Sequence, residues 1–256
     1  MESLYEDIIF HIISFLEKED AFNYINMAKF LKPNKKRFYD RYIFTHNKIQ
    51  NNDIKPQISH IIKYSLDGIE TYRKLKTLYI DNDSFNHPMN NLPETLQNLT
   101  IKSFIFNQPL YNLPDNLQIL TINCTHFNQP INNLPNALYS LTLWCCRKFN
   151  HPLDKLPNSL NSLQIYCCDQ FTYPLNQLPK TLYLLDIDKI DNRIKFLPND
   201  LHSLTIKAST FNYFNNTKKY FPKTLKTLKL DSCHNFNHSL DNFPDTLKKL
   251  IIKWPM

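Results

Sequence analysis

A proline that follows leucine or phenylalanine recurs along most of this chain at nearly constant spacing. Its eight copies are Pro93, Pro114, Pro135, Pro157, Pro179, Pro198, Pro222 and Pro244, separated by 21, 21, 22, 22, 19, 24 and 22 residues. A period of this length is typical of solenoids, in which each repeat is one structural unit that stacks on its neighbours. The repeat therefore predicts a stacked architecture for the larger part of the chain.

Apolar residues follow each of these prolines at three, six and eight positions, as in Leu96, Leu99 and Ile101. Since alternate residues of a strand point to the same face, this spacing predicts one short strand per repeat with these side chains directed inward. The predicted strands centre on residues 78–80, 99–101, 120–122, 141–143, 163–165, 185–187, 204–206, 228–230 and 250–252. We expect each strand to pair in parallel with the next, because a single repeat buries too little apolar surface to fold alone.

A second phrase, Phe-Asn-x-Pro followed by an apolar residue, precedes the first four of these prolines. It begins at Phe85, Phe106, Phe127 and Phe149, and it decays in the later repeats. Two proline-containing segments per repeat predict an extended return on the far side of the sheet. The irregular 19- and 24-residue spacings predict a local distortion around Pro198.

The two phrases together with Leu-x-x-Leu-x-Ile resemble the FNIP repeat, a relative of the leucine-rich repeat. The resemblance covers residues 85–252, and an atypical initial strand is predicted at residues 73–80. It implies a curved solenoid whose strands line a concave surface, the part that repeat proteins use for recognition.

The first residues of the chain have a different pattern, with no proline before Pro33 and a capping box at residues 3–6. Apolar residues at helical intervals form one stripe, which consists of Leu4, Ile8, Ile9, Ile12, Phe15 and Leu16. The sequence thus predicts an α+β fold: a helical module at residues 1–46, a connector at 47–70 and a solenoid at 71–256.

The segment from Leu4 to Leu16 resembles the F-box. The resemblance implies that the apolar stripe docks onto the Skp adaptor of a cullin-RING ubiquitin ligase, while the solenoid holds the target protein. The alternative is a binding scaffold without a ubiquitin-ligase role, in which the first helices only cap the end of the solenoid.

The composition argues against most enzyme classes. Gly68 is the only glycine, whereas phosphate-binding loops, dinucleotide-binding loops and the nucleophile elbow each need several. Two cysteine pairs lie one repeat apart, at 145–146 and 167–168, but stacked strands place thiols in rows rather than tetrahedrally around one point. We expect a non-enzymatic protein with free thiols and without a metal or cofactor.

The repeat register also assigns the cysteines to two columns. Cys146, Cys168 and Cys233 lie three positions after the last inward residue of a strand, whereas Cys124, Cys145 and Cys167 lie two positions after it. Side chains of neighbouring positions in an extended chain point in different directions. The sequence therefore predicts two separate rows of thiols.

The outward positions of the strands indicate where a partner binds. Trp144 and Tyr166 fall at the same register of adjacent strands, and exposed aromatic residues of these types are enriched in interface hot spots. The predicted target-binding residues are Trp144, Tyr166, Asp186, Asp188, Lys102 and Lys207.

Charge and the first residues bear on partners and location. The formal net charge of +7 is too mild to indicate nucleic-acid binding. The chain begins with acidic residues, and no apolar run approaches the ~18 residues of a membrane span. We expect an unsecreted, cytoplasmic protein. Because F-boxes joined to FNIP repeats are similar to families of amoebae and their large DNA viruses, host cytoplasm is one interpretation.

Overall fold

The chain folds into one parallel β-sheet that winds as a solenoid, with one strand per turn. The computed structural model describes residues 44–45, 60–63, 66–188, 197–207, 221–231 and 243–253. The strands are β1 (Phe44–Thr45), β2 (His60–Lys63), β3 (Thr77–Asp81), β4 (Asn98–Ser103), β5 (Ile119–Cys124), β6 (Ser140–Trp144), β7 (Ser162–Tyr166), β8 (Leu184–Ile187), β9 (Ser203–Lys207), β10 (Thr227–Asp231) and β11 (Lys249–Lys253). Their order in the sheet is their order in the chain.

The nine strands predicted from the repeat are confirmed, and so is their parallel pairing. Corresponding repeat positions lie opposite each other, as Leu99 lies opposite Leu120 and Ile101 opposite Ile122. The sheet also extends upstream of the predicted initial strand, because β2 pairs with β3 and β1 pairs with β2. Neither strand follows a repeat proline, and in β2 Lys63 stands opposite Ile80, so the complete apolar triplet that located β3 is also missing.

The predicted α+β class is wrong, because the described residues form a β-solenoid of strands and coil. Their only helical element is a single 3-10 turn at Ile69–Thr71. Phe44–Thr45 is a strand of the sheet although it falls within the segment predicted to be helical. In the return segments the prolines remove backbone donors and fix extended conformations, which excludes helices there. The remaining residues of the predicted module lie outside the described part of the chain.

The core consists of the inward strand residues and a row of phenylalanine rings from the return segments. Phe85, Phe106, Phe127, Phe149 and Phe171 are buried, and consecutive rings stack with centroids 5.7 to 6.0 Å apart. Each ring therefore occupies the equivalent core position of its own repeat. The first residue of the Phe-Asn-x-Pro phrase is a stacking element that ties each return segment to the next.

The second residue of the phrase forms a ladder of side-chain hydrogen bonds between repeats. The Oδ1 atom of Asn86 accepts a hydrogen bond from the backbone N–H of Asn107 at 2.9 Å, and Asn107 accepts from Asn128 at 2.8 Å. Asn128 accepts in the same way from Asn150 at 3.0 Å, and Asn150 accepts from Thr172 at 3.0 Å. The amides satisfy backbone donors that extended segments leave unpaired.

The buried thiols form another ladder between repeats. The cysteines in this ladder differ from those of either predicted column. The Sγ atoms of Cys124, Cys146 and Cys168 lie 3.4, 3.4 and 3.8 Å from the carbonyl oxygens of Ile101, Ile122 and Leu143. Cys124 thus belongs with Cys146 and Cys168 rather than with the other two cysteines. Ser103, which is also buried, faces Cys124 at the start of the row. Cys233 lies outside the described residues.

One inserted residue explains the misassigned column. Cys145 and Cys167 adopt left-handed backbone conformations, with φ of 52° and 51°. Each occurs in a 22-residue repeat, whereas the repeats that carry Ser103 and Cys124 have 21 residues. The left-handed residue accommodates the extra position and returns the following cysteine to the ladder. Counting from the strand could not reveal this shift.

The distortion predicted around Pro198 concerns residues 189–196 and 208–220, which lie outside the described part. Among the described residues, we find no helix that is long and apolar enough to cross a membrane.

Candidate protein-binding surface

The side chains that point away from the core on β3 to β11 form a continuous surface, here called the strand face. Burial alternates along most of these strands. In β6 the buried Leu141 and Leu143 separate the outward Ser140, Thr142 and Trp144. This alternation follows from the two-residue period of a strand with one buried face. Because the strands are in register, each outward position becomes a row across the sheet.

Trp144 and Tyr166 form an aromatic pair in the middle of the strand face. The two residues lie opposite each other on β6 and β7. Their ring centroids are 5.2 Å apart and their planes are inclined by 54°. Trp144 is 49% exposed, whereas Tyr166 is half-buried. The predicted juxtaposition of these two rings is confirmed.

Charged side chains of the following strands surround Tyr166. The Lys207 ammonium lies 5.1 Å from the centroid of the tyrosine ring, a cation–π arrangement. The same ammonium lies 3.4 Å from a carboxylate oxygen of Asp188. Burial raises the pKa of Tyr166 above its usual range, and the hydrogen bond to Asp186 raises it further. Tyr166 therefore remains a neutral hydrogen-bond donor at physiological pH.

Asp186 is a partly buried carboxylate beside the aromatic pair. It accepts hydrogen bonds from the hydroxyls of Tyr166 and Thr205, while its Oδ1 atom is buried without a hydrogen-bond partner among the described residues. Burial raises the pKa of Asp186, although the two hydrogen bonds and Lys207 oppose the shift. A buried oxygen without a donor destabilises the ionised carboxylate, which acts in the same direction as the raised pKa of Asp186.

Five of the six predicted target-binding residues lie together, and one lies apart. Trp144, Tyr166, Asp186, Asp188 and Lys207 occupy four consecutive repeats, from β6 to β9. Lys102 is on β4, two strands away from Trp144, and its ammonium lies 3.1 Å from a carboxylate oxygen of Asp81. Lys102 is therefore a separate part of the strand face. Whether any of these residues binds a target stays a prediction.

Two exposed tyrosines that the sequence analysis did not select lie at the opposite end of the strands from Trp144 and Tyr166. Tyr139 immediately precedes β6 and Tyr183 immediately precedes β8, and their side chains are 54% and 44% exposed. Tyr183 stacks on His202 with ring centroids 4.3 Å apart. Both tyrosines are the fourth residue after a repeat proline. The recurrence of tyrosine at that position of the repeat is the sequence signal that points to them.

The predicted adaptor-binding residues, Leu4, Ile8, Ile9, Ile12, Phe15 and Leu16, lie outside the described part of the chain. Among the described residues, three or more His, Cys, Asp or Glu side chains do not converge on a point where a metal ion could bind.

Comparisons with known proteins support the repeat architecture. No protein-family model matches the sequence, and neither does any curated protein. The structure is similar to the crystal structure of CroV588, a giant-virus protein described as a novel circular LRR protein structure, with a TM-score of 0.62 and 28% sequence identity. The fold is a leucine-rich-repeat-like solenoid. The similarity covers 77% of this chain and 30% of that chain, so the matching solenoid corresponds to less than a third of CroV588.

Proposed function

We propose that this chain is a non-enzymatic binding protein that captures another protein on its strand face. The observation that carries this proposal is Trp144, a large ring that is half exposed and packs against Tyr166 in the middle of a regular sheet. A leucine-rich-repeat-like solenoid supports a role as a protein-interaction scaffold, because its stacked strands present a long, rigid surface. Large aromatic side chains on such a surface are the residue types that dominate interface energetics.

The charges of the strand face support specific recognition rather than general adhesion. Opposite charges neighbour each other on consecutive strands, as Lys102 neighbours Asp81 and Lys207 neighbours Asp188. Internally paired charges leave little net field to attract an arbitrary partner, and a partner with the wrong charge pattern must break these pairs. Trp144 is a large apolar side chain that remains half exposed on this face, so we assign the aromatic pair the anchoring role.

We further propose that residues 1–46 connect the captured protein to a cullin-RING ubiquitin ligase through the Skp adaptor, in the cytoplasm of the cell in which the protein acts. The support for this step is the F-box-like sequence between Leu4 and Leu16. The alternative is a scaffold that binds its partner without a ubiquitin ligase. Retrieval of Skp and a cullin together with the target distinguishes the two functions.

Cross-linking tests where the target binds. The complex is purified from the native cell through a tag on this chain, treated with a lysine-reactive cross-linker and analysed by mass spectrometry. We expect cross-links from the target to Lys207 and Lys229, which lie on the strand face. Lys148 and Lys155 are the internal control, because they lie on the return segment between β6 and β7. Cross-links confined to those two lysines would place the target on the opposite surface and overturn the proposal.

A further inference from the structure

The two inserted cysteines occupy equivalent positions on neighbouring turns. Apart from Asn91, Cys145 and Cys167 are the only non-glycine residues of the described part with positive φ. Asparagine tolerates this conformation more readily than cysteine does. A conformation that is unfavourable for both side chains is thus repeated on two consecutive turns, and it presents two thiols in the same direction.

The thiols are close enough to be joined. Trp144 and Tyr166, which precede the two cysteines, lie opposite each other in the sheet, and the backbone N–H of Cys145 donates a hydrogen bond to the carbonyl oxygen of Tyr166 at 2.9 Å. The Cys145 thiol is close enough to Cys167 to affect its ionisation. Neighbouring strands are about 4.8 Å apart, within the range of about 4.4–6.8 Å that disulfides span between Cα atoms.

Solvent access separates this pair from the other stacked thiols. Cys167 is exposed and Cys145 is partly exposed. Cys146 and Cys168 are also in contact with each other, but they are buried in the thiol ladder. A dissolved oxidant therefore reaches the outer pair and not the inner pair.

We propose that Cys145 and Cys167 form a dithiol site that a low-molecular-weight disulfide, such as oxidised glutathione, converts reversibly to a disulfide bond. One cysteine thiolate attacks a glutathione sulfur, which breaks the glutathione disulfide and releases one glutathione thiolate. The second cysteine thiolate attacks the protein sulfur of the mixed disulfide and releases the second glutathione thiolate. The two cysteines lose two electrons and two protons, and glutathione disulfide is reduced to two thiols.

The neighbours of Cys167 make this reaction dependent on pH. Desolvation, the neighbouring Cys145 thiol and the Asp188 carboxylate together raise the pKa of Cys167 to about 11, because each of them disfavours a negative charge on its sulfur. Lys207 is the cation on this side, and it is paired with Asp188. Because the thiolate is the nucleophile, the rate of oxidation increases as pH rises toward this pKa, about tenfold per unit.

The bond would be formed directly beside the proposed binding anchor. Cys145 follows Trp144 and Cys167 follows Tyr166 in the chain. A disulfide between the cysteines would fix the separation of the two turns that carry the aromatic rings. The dithiol site is independent of the proposed function, because its oxidation requires no bound protein.

Mass spectrometry of the folded full-length chain tests the proposal. The chain is incubated with oxidised glutathione at pH 7, 8 and 9 (about the range over which the Cys167 thiolate remains a minority), alkylated, digested and fragmented. We expect a cross-link between Cys145 and Cys167 that accumulates faster at higher pH, with a loss of two hydrogen atoms from the intact mass. Dithiothreitol should restore both thiols.

Two single variants provide the control. Cys145→Ser and Cys167→Ser should each retain one glutathione adduct on the remaining cysteine, because no second thiol is present to displace it. A cross-link through Cys146 or Cys168 would show that access does not select the outer pair. Stable adducts on both outer cysteines of the unchanged chain, or no modification at pH 9, would overturn the proposal.

Discussion

At the scale of single residues, the repeat phrase assigns a distinct physical task to each position. The phenylalanine supplies a buried ring to a continuous stack, and the asparagine accepts a backbone hydrogen bond from the next repeat. The sequence predicted that these segments are extended, because proline restricts the backbone. It could not predict the ladder, because the recurrence of asparagine does not show which backbone group its side chain bonds. Cys124 was placed in the wrong column for a different reason, because the residue inserted before Cys146 and before Cys168 shifts their count from the strand.

The asparagine ladder can be tested at Asn128. Its Oδ1 atom accepts the backbone N–H of Asn150 at 3.0 Å, so Asn128→Ala leaves that donor without its partner. We expect the free energy of unfolding in urea to fall by about 0.5–1.5 kcal/mol, because the bond is exposed and water can replace the lost partner. Asn132→Ala is the matched control, because the Asn132 Oδ1 atom is buried without a hydrogen-bond partner among the described residues. Equal losses in the two variants would contradict a stabilising ladder.

At the scale of elements, strands and return segments differ in how much of them the sequence reveals. The strands of the repeats were predicted correctly, because apolar residues at alternate positions indicate a strand with one buried face. The strands β1 and β2 were missed, because neither follows a repeat proline or has the complete apolar triplet by which β3 was predicted. The helical class was predicted from the spacing of apolar residues near the start of the chain. The described residues of that segment, Phe44–Thr45, form a strand of the sheet instead.

The inserted residue after β7 provides a test at this scale. Cys167 has φ of 51°, a conformation that glycine adopts freely and β-branched residues avoid. We expect thermal stability to decrease in the order Cys167→Gly, Cys167→Asn, Cys167→Val, with about 1–2 kcal/mol between the first and the last. Calorimetry of the three variants measures the order.

Asn123 is the control position for this series. It lies in β5 and points outward on an extended strand, where valine is favoured over glycine. The order of Asn123→Gly and Asn123→Val should therefore be the reverse of the order at Cys167. The same order at both positions would show that the left-handed backbone of Cys167 does not determine the effect.

At the scale of the whole molecule, the solenoid combines a uniform core with a varied surface. The inward positions repeat leucine and isoleucine, whereas the outward row contains charges, Asn123, Trp144 and Tyr166. The clustering of five predicted target-binding residues followed from the register, which the repeat length specified. The internal pairing of the charges and the partial burial of Asp186 did not follow, because they depend on side-chain packing between strands.

The proposed connection to a ubiquitin ligase has a direct test in the first residues. Leu4→Asp combined with Ile12→Asp places two charges in the apolar stripe, and burying an unpaired charge in an interface costs several kcal/mol. We expect Skp to be lost from the purified complex, whereas the target remains bound to the solenoid. Retention of Skp, or its absence from the complex of the unchanged chain, would favour the scaffold without a ligase role.

The affinity of Trp144→Ala for the purified target, measured by calorimetry beside its thermal unfolding, is the most direct test of the strand face as the binding surface. We expect the dissociation constant to increase by about 30-fold, equivalent to about 2 kcal/mol, with little change in melting temperature because the ring is 49% exposed. Tyr111→Ala is the matched control, since Tyr111 is 60% exposed on the return segment between β4 and β5, and it should bind as tightly as the unchanged chain. Unchanged affinity of Trp144→Ala, or an equal loss in Tyr111→Ala, would contradict the account.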